Sequence, residues 1–457
     1  MINQKRSLFA SNVWLATGWA ENVRVHWSDE GDITEIELNA TPVAGEVPEQ
    51  FVVPGMVNLH SHAFQRAMAG MAETGTDSQD SFWTWRKLMY RFAMALTPVQ
   101  MQAIAAQVYA ECLTLGYTSV CEFHYLHRDS TGQFYGNMTE TAQHVMAGAQ
   151  EAGIGITMLP VLYNYADFNQ QPLRQEQCRF STNPEQILRM VELLEPWRNG
   201  QTEIGVAPHS LRAASTDQIT EVVNALPPDR PIHIHIAEQQ QEVQSCLQYC
   251  GQRPVELLYA TQQVDARWCL VHATHLMPNE ISLIANSKAV AGICTTTEGN
   301  LGDGFFPLPE FIAQQGRFGI GSDSNVSQSP IEELRWLEYG QRLRSQQRNI
   351  AQQADWRRTG DFLWQSSLMG GAQASGRKVG SLAVGMRADM LVLDATHPNL
   401  CDIAAADLLN SWIFSGNTNL VRDVLVGGLW RVKNGLHQHK MPIEQRFVQT
   451  MQQLRAL

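Results

Sequence analysis

The sequence predicts an α/β protein: a (β/α)8 barrel of the TIM type with a small discontinuous β-sandwich domain formed by both termini. Three observations lead there. Between residues 56 and 373, eight strand-like runs alternate with helix-like ones, the pattern of parallel βα units. Most of these runs end on a polar residue able to do chemistry, where a parallel barrel collects its active site. Residues 1–55 and 374–457 read instead as short strands and turns. Neither end has enough residues for a core of its own, so the two are expected to pair.

Taken in order, the N-terminal runs are Leu8-Phe9-Ala10, Val13-Trp14-Leu15, Val23-Arg24-Val25 and Ile33-Thr34-Glu35-Ile36, punctuated by the turn Asp29-Glu30-Gly31-Asp32. Val52-Val53-Pro54-Gly55-Met56 then delivers the chain into the barrel. The barrel strands are expected to end at His60-Ser61-His62, Val120-Cys121-Glu122, Leu159-Pro160-Val161, Val206-Ala207-Pro208-His209, His233-Ile234-His235, Leu270-Val271-His272, Gly292-Ile293-Cys294 and Gly319-Ile320-Gly321-Ser322-Asp323. The loop after His62 runs through Glu73-Thr74-Gly75-Thr76-Asp77 and Phe82-Trp83-Thr84-Trp85-Arg86. Its length is that of a lid or binding loop. At the far end, Met390-Leu391-Val392-Leu393, Val424-Leu425-Val426 and Leu429-Trp430-Arg431-Val432 repeat the strand character of the N-terminus.

Composition narrows the function classes. The 457 residues exceed a usual single domain, and a barrel of ~250 residues or more plus a smaller unit accounts for them. Hydrophobic residues at 44% and charged residues at 17% are those of a packed globular protein. Lys and Arg number 33 against 45 Asp and Glu, a formal net charge of -12. That balance argues against nucleic acid or a membrane surface as a partner. The eight cysteines are scattered, and Cys246 and Cys250 have no second pair with which to build a zinc knuckle. Reduced thiols are the simpler expectation. No apolar run reaches the ~18 residues of a membrane span and Met1 to Leu15 lacks an apolar leader, so a cytoplasmic protein is expected.

The chemistry starts at His60-Ser61-His62. Residues i and i+2 of a strand face one side, so both imidazoles converge at the strand end. They make a ready ligand pair for a divalent first-row metal. Alone, the pair has a plain alternative: two histidines on a half-exposed strand. His235, closing Ile232-His233-Ile234-His235, is the next candidate ligand, while His233 sits one layer deeper and reads as a core histidine. Glu238 follows just past that strand end. A carboxylate there reaches metal-held water without binding the metal, the position of a general acid/base. A first-turn helix glutamate is the alternative. His272, closing Cys269-Leu270-Val271, can touch a developing oxyanion or the attacking water, and His275 beyond it reads as incidental. Asp323 ends the last strand, where it either completes the coordination or caps a helix beside Ser324-Asn325.

The order HxH, His, His, Asp at successive strand ends resembles the amidohydrolase superfamily. The resemblance covers essentially the whole chain, including Gly385-Met386-Arg387-Ala388-Asp389. It implies one or two metals held in a (β/α)8 barrel. Binuclear members commonly bridge their metals with a carboxylated lysine, yet no lysine occurs between Lys87 and Lys288. A mononuclear site is therefore expected, with His60, His62, His235 and Asp323 as ligands of one divalent metal. Zinc suits that set, and iron and manganese fit too. Glu238, His272 and Asp323 look like the catalytic trio of the deaminase branch, which attacks C=N carbons with a metal-bound hydroxide. The HxE and PCxxC of the cytidine-deaminase zinc site are absent.

Substrate readings rest on the loops. Gln65 and Arg66 follow the HxH, Arg86 lies in the aromatic-rich lid, Tyr125 follows the second barrel strand, and His209 and Arg212 follow the fourth. Two or three arginines above a metal in an acidic protein suggest a substrate with carboxylates, which guanidinium binds in bidentate fashion. For Arg66 and Arg86, solvated helix positions are the alternative. Pro54 to Arg66, with His209-Ser210-Leu211-Arg212 and His235-Ile236-Ala237-Glu238, resembles the N-formimino-L-glutamate deiminase group of bacterial histidine degradation. That resemblance implies hydrolysis of N-formimino-L-glutamate to N-formyl-L-glutamate and ammonia. It also places Gln65, Arg86, Tyr125, His209 and Arg212 at this small dicarboxylate. Another mononuclear aminohydrolase, acting on guanine, cytosine or a modified adenosine, is the alternative. A homodimer is compatible with the resemblance, and no residue pattern demonstrates one.

Overall fold

Both ends of the chain enter one mixed sheet. The computed structural model describes residues 6–75 and 82–456. In the eight-stranded sheet, Arg6–Leu15, Gly18–Trp27, Ile33–Glu37 and Glu49–Pro54 are joined by Met390–Leu393, Val421–Val426, Leu429–Lys433 and Leu436–His437. The seam is Glu49–Pro54, which runs parallel to Arg6–Leu15 and antiparallel to Met390–Leu393, with Val53 opposite Leu391. The two short runs expected before residue 15 are one continuous strand. Its antiparallel register against Gly18–Trp27 carries through the polar step, with Asn12 opposite Glu21. The turn before Ile33 meets the C-terminal segment, where Ile33 N donates to Met386 O at 2.8 Å and Ala388 N to Gly31 O at 2.9 Å. Val13, Val23, Val25, Val52, Met390, Val392 and Leu425 form a small core of this part.

The middle of the chain is parallel α/β structure. Met56–Ser61, Tyr117–His124, Gly155–Leu162 and Thr202–Ile204 form one parallel run, and Ala207–Pro208 pairs with Gly155–Leu162. Ile232–Ile236, Trp268–His272, Val290–Ile293 and Arg317–Ile320 form the other. Two parallel bridges, Val206 to Ile232 and Ser61 to Asp323, connect the runs at both edges. All eight expected strand positions are occupied. The fourth is split into Thr202–Ile204 and Ala207–Pro208, with the break at Gly205 and Val206.

The helices between strands carry sequence-encoded ends. Pro98–Leu115 starts at Thr97, whose side chain accepts from Gln100 N while Gln100 reaches back to the Thr97 amide. With proline in the first turn, this is a capping box. The helix stops at Gly116 with φ 114°, a left-handed cap that favours glycine. It buries Ile104, Val108, Tyr109, Cys112 and Leu113, each large aliphatic side chain stabilising the fold by roughly 1.5–3 kcal/mol.

Three helices, Phe82–Ala95, Ala405–Phe414 and Lys440–Arg455, occupy segments expected as loop or strand. Residues 82–95 form the helix Phe82–Ala95 rather than continuing a loop, while Thr76 and Asp77 of the expected lid lie outside the described residues. The C-terminal part holds two helices, Ala405–Phe414 and Lys440–Arg455, beside its strands. In the second, Ile443, Met451 and Leu454 are buried and Phe447 packs on the core, a spacing of four, four and three that marks a helix face. Helix Thr359–Ser375 runs across residue 373, where a division of the chain was expected. All eight cysteines are free. No helix among the described residues is long and apolar enough to cross a membrane.

Candidate active site

The first and last parallel strands are laced together where the candidate ligands sit. Asp323 N donates to His60 O at 2.9 Å, and His62 N donates to Asp323 O at 3.0 Å. Beneath them Asn58 and Ser322 exchange bonds: Asn58 Nδ2 donates to Ser322 Oγ at 2.7 Å and Ser322 N to Asn58 Oδ1 at 2.9 Å. Asn325 closes the clasp, its Nδ2 donating to Ser61 Oγ, His62 O and Asp323 O at 3.0–3.2 Å. Ser324-Asn325 thus anchors the loop of Asp323, which holds a left-handed φ of 48°.

Within this frame His60, His62, His235 and Asp323 each offer one ligand atom, all within 4.8 Å of one another. His60 Nε2 lies 3.2 Å from His62 Nε2 and 3.0 Å from His235 Nε2. The Asp323 Oδ1 atom is 3.5 Å from His60 Nε2 and 3.4 Å from His62 Nε2. On the outer side, His62 Nδ1 donates to Phe123 O at 2.9 Å and His235 Nδ1 to His209 O at 3.1 Å. Those bonds place the protons outward and turn the Nε2 lone pairs inward, the second-layer arrangement of a metal histidine. Inward lone pairs and a carboxylate at such distances repel one another unless a cation lies between them. A His3Asp set fits a divalent first-row metal. Burial, the main cause, pushes the His60 imidazole down to about 3 and so keeps it neutral. Asp323 is held well below the carboxylate range, because His60, His62 and His272 outweigh its burial.

Glu238 and His272 stand over this cluster. His272 Nε2 is 3.8 Å from Glu238 Oε1 and 3.7 Å from Asp323 Oδ2, and all three side chains are buried. Burial pushes the Glu238 carboxyl up to about 7; Asp323 adds to the rise while His272 and Arg212 oppose it. For His272, Glu238, Glu298 and Asp323 overcome the burial that disfavours its cation and raise it to about 10.

One pocket unites the remaining candidates. Gln65, Arg86, Tyr125, His209 and Arg212 line it together with His62, His235, Glu238, His272 and Asp323. Gln65 Nε2 donates to Tyr125 OH at 2.8 Å, and Arg86 Nη2 to Tyr163 OH at 3.3 Å. Arg86 also lies over the Tyr90 ring, 5.2 Å from its centroid. Arg66 does not line the pocket; it pairs instead with Glu111 at 3.0 Å. His233 donates to or accepts from no site residue and bonds Ala374 O at 2.8 Å, as a core histidine does. His275 bonds Gln240 at 2.8 Å and does not line the pocket.

Comparison with known proteins identifies the family. Residues 51–431 match the model of the amidohydrolase family. The chain belongs to the amidohydrolase family. This amidohydrolase is 49% identical over 449 residues to the formimidoylglutamate deiminase of Pseudomonas aeruginosa, covering 98% of this chain and 99% of that one. A crystal structure of an amidohydrolase from Brucella melitensis superposes with a TM-score of 0.93 at 42% identity, over 99% of this chain and 100% of that one. The fold alone is shared with a zinc-bound adenosine deaminase structure from Xanthomonas campestris, at TM-score 0.80 and 21% identity over 99% and 98% of the two chains.

Sequence reasoning about this amidohydrolase missed several residues of the site. Tyr90, Tyr163 and Phe180 line the pocket, and Gln177 Nε2 ties the Tyr163 and Tyr90 hydroxyls at 2.9 and 3.2 Å. Glu298 contacts His272 from behind at 3.2 Å. Tyr163, directly after a strand end, carried the same positional signal as Tyr125. Glu298 carried none, since it lies on a helix five residues past its strand.

Proposed function

We propose that this amidohydrolase is a metal-dependent deiminase converting N-formimino-L-glutamate and water to N-formyl-L-glutamate and ammonia. The observation that carries the reading is the placement of two guanidinium groups, Arg86 and Arg212, on the wall of the pocket floored by the His/Asp cluster. A substrate with two carboxylates and one hydrolysable C=N group fits that pairing of cations above a metal set. The near full-length similarity to a formimidoylglutamate deiminase supports the same substrate.

In this reading His60, His62, His235 and Asp323 hold one divalent cation, zinc being the first choice. Bound there, the cation polarises water and lowers its pKa from ~16 towards ~7. Arg86 and Arg212 bind the carboxylates, and Gln65, Tyr125 and His209 hold the formimino end over the cluster. Asp323 accepts a proton as the water oxygen bonds to the formimino carbon. Glu238 carries protons to the nitrogen, so that the C–N bond breaks with ammonia as the leaving group. His272 donates to the oxygen of the tetrahedral intermediate. We also read the two parallel runs as one closed (β/α)8 barrel, on the strength of the bridges at both edges. The terminal sheet folds over as a small sandwich-like domain, and the barrel ends with helix Thr359–Ser375.

An ammonia-release assay tests this. Formiminoglutamate should be turned over, guanine, cytosine and methylthioadenosine should not, and a chelator should abolish turnover until zinc is restored. Release from a nucleobase with none from formiminoglutamate would overturn the reading.

A further inference from the structure

The His272 imidazole is fixed from the side away from the substrate. Its Nδ1 lies 3.2 Å from Glu298 Oε1, and both side chains are buried, at 1% and 3% exposure. The same carboxylate oxygen accepts Cys294 N at 3.0 Å, so the acceptor is itself anchored to the backbone. Glu298 sits on helix Thr295–Leu301 and is not among the residues that line the substrate pocket.

Two features make such an anchor necessary. His272 and the following Ala273 both hold left-handed backbone, φ 68° and 47°, a conformation that residues with a β-carbon rarely adopt. A ring on such a backbone is not directed by strand geometry, and a half-turn about its last torsion would exchange nitrogen for carbon on the pocket side. The helix carrying Glu298 is in turn tied to both neighbours of Asp323. Thr297 Oγ1 lies 3.2 Å from Ser322 O and 2.9 Å from Ser324 Oγ. Glu333 accepts from Thr295 Oγ1 at 2.7 Å and Thr296 N at 3.0 Å, holding the start of the same helix.

We propose that Glu298 is a positioning residue that orients His272, keeping a proton on Nδ1 and Nε2 facing the reacting carbon. The proposal rests on the role given to His272 above. Glu298 makes no contact with substrate in this scheme and acts only through the imidazole. A carboxylate behind a working histidine fixes the ring orientation, and removal of such outer partners costs 10–100-fold in activity.

The test is a double-mutant cycle on the zinc-loaded enzyme, with proton NMR as a readout independent of turnover. Glu298→Gln, which keeps an acceptor oxygen, should lower kcat by about 10-fold, and Glu298→Ala by about 100-fold. KM and metal content should stay within twofold of wild type. In the His272→Ala background Glu298→Ala should cause no further loss, because residues acting as one unit are non-additive. Independent, multiplying losses would assign Glu298 a purely structural role. In the wild-type protein a downfield, exchange-protected Nδ1 proton should be present, and it should vanish in both His272→Ala and Glu298→Ala. Its absence from wild type overturns the proposal even if every variant misfolds. A wild-type enzyme inactive on formiminoglutamate would instead sink the substrate reading and leave the proton signal to decide this one.

Discussion

Asp323 reaches the metal set because its amide is bonded to the carbonyl of His60, 2.9 Å away, across the junction of the last and first parallel strands. That approach leaves no space for a side chain at Gly321. A β-carbon there would lie 2.8 Å from His60 N and 2.9 Å from both His60 Cβ and His60 O. Gly321→Ala should therefore push the two strands apart, costing about 1–3 kcal/mol. Bound zinc per chain, measured after gel filtration, should fall along with the melting temperature. Full metal occupancy in a variant of unchanged melting temperature would show that this junction does not set the ligand geometry.

Glu238 is separated from the cluster by its reach rather than by its chemistry. It faces His272 at 3.8 Å, while the ligand atoms converge without it. Glu238→Gln keeps the shape and removes the proton-carrying group. Turnover should drop by ~100-fold or more, the usual weight of general acid–base catalysis, with zinc content unchanged. Retention of more than a tenth of wild-type kcat in Glu238→Gln would remove Glu238 from proton transfer.

Much of this was legible in the residues because the informative spacing was local. His60 lies in the first parallel strand and His62 just past its end, and His235, His272 and Asp323 each close an apolar run, so strand ends alone located them. Their convergence needed only a parallel architecture. What stayed hidden depends on contacts between distant segments. Arg66 and Arg86 carry the same guanidinium, yet Glu111, forty-five positions on from Arg66, holds the first outside the pocket. Glu298 meets His272 across twenty-six positions. The strand Arg6–Leu15 looked broken at Ser11-Asn12, and only its pairing with Gly18–Trp27 carries it through. Helix Lys440–Arg455 had its apolar period in the sequence, masked by a segment read for strands.

The two pocket arginines should separate by which carboxylate they hold. Arg86 is oriented by Tyr163 OH at 3.3 Å and the Tyr90 ring, whereas the Arg212 Nε atom is buried without a hydrogen-bond partner among the described residues. Arg86→Met and Arg212→Met should each lower kcat/KM for formiminoglutamate by about 10- to 150-fold, the weight of one charged hydrogen bond of ~1.5–3 kcal/mol. A substrate analogue with one carboxylate amidated should be penalised with only one of the two variants further weakened. Equal weakening of both variants on that analogue would refute a one-arginine, one-carboxylate assignment.

Glu122 supports the HxH turn from inside the fold and should make stability depend on pH. Its Oε1 accepts Ala63 N at 2.8 Å, one residue past His62, and Tyr109 OH donates to Oε2 at 2.9 Å. Burial pushes the carboxyl up to about 7, against those donors and Ser61, which favour the anion. In the unfolded chain a glutamate titrates near ~4.3. Because the folded state binds the proton more tightly, this contribution is complete at pH below ~4 and is lost as pH rises through about 7. Glu122→Gln keeps an oxygen for Ala63 N and an amide to face Tyr109, and it does not titrate. The variant should gain on wild type by on the order of 3 kcal/mol between pH 5 and pH 8, read from urea denaturation at fixed zinc. A stability difference that stays flat across that range would mean Glu122 remains ionised in the folded protein throughout.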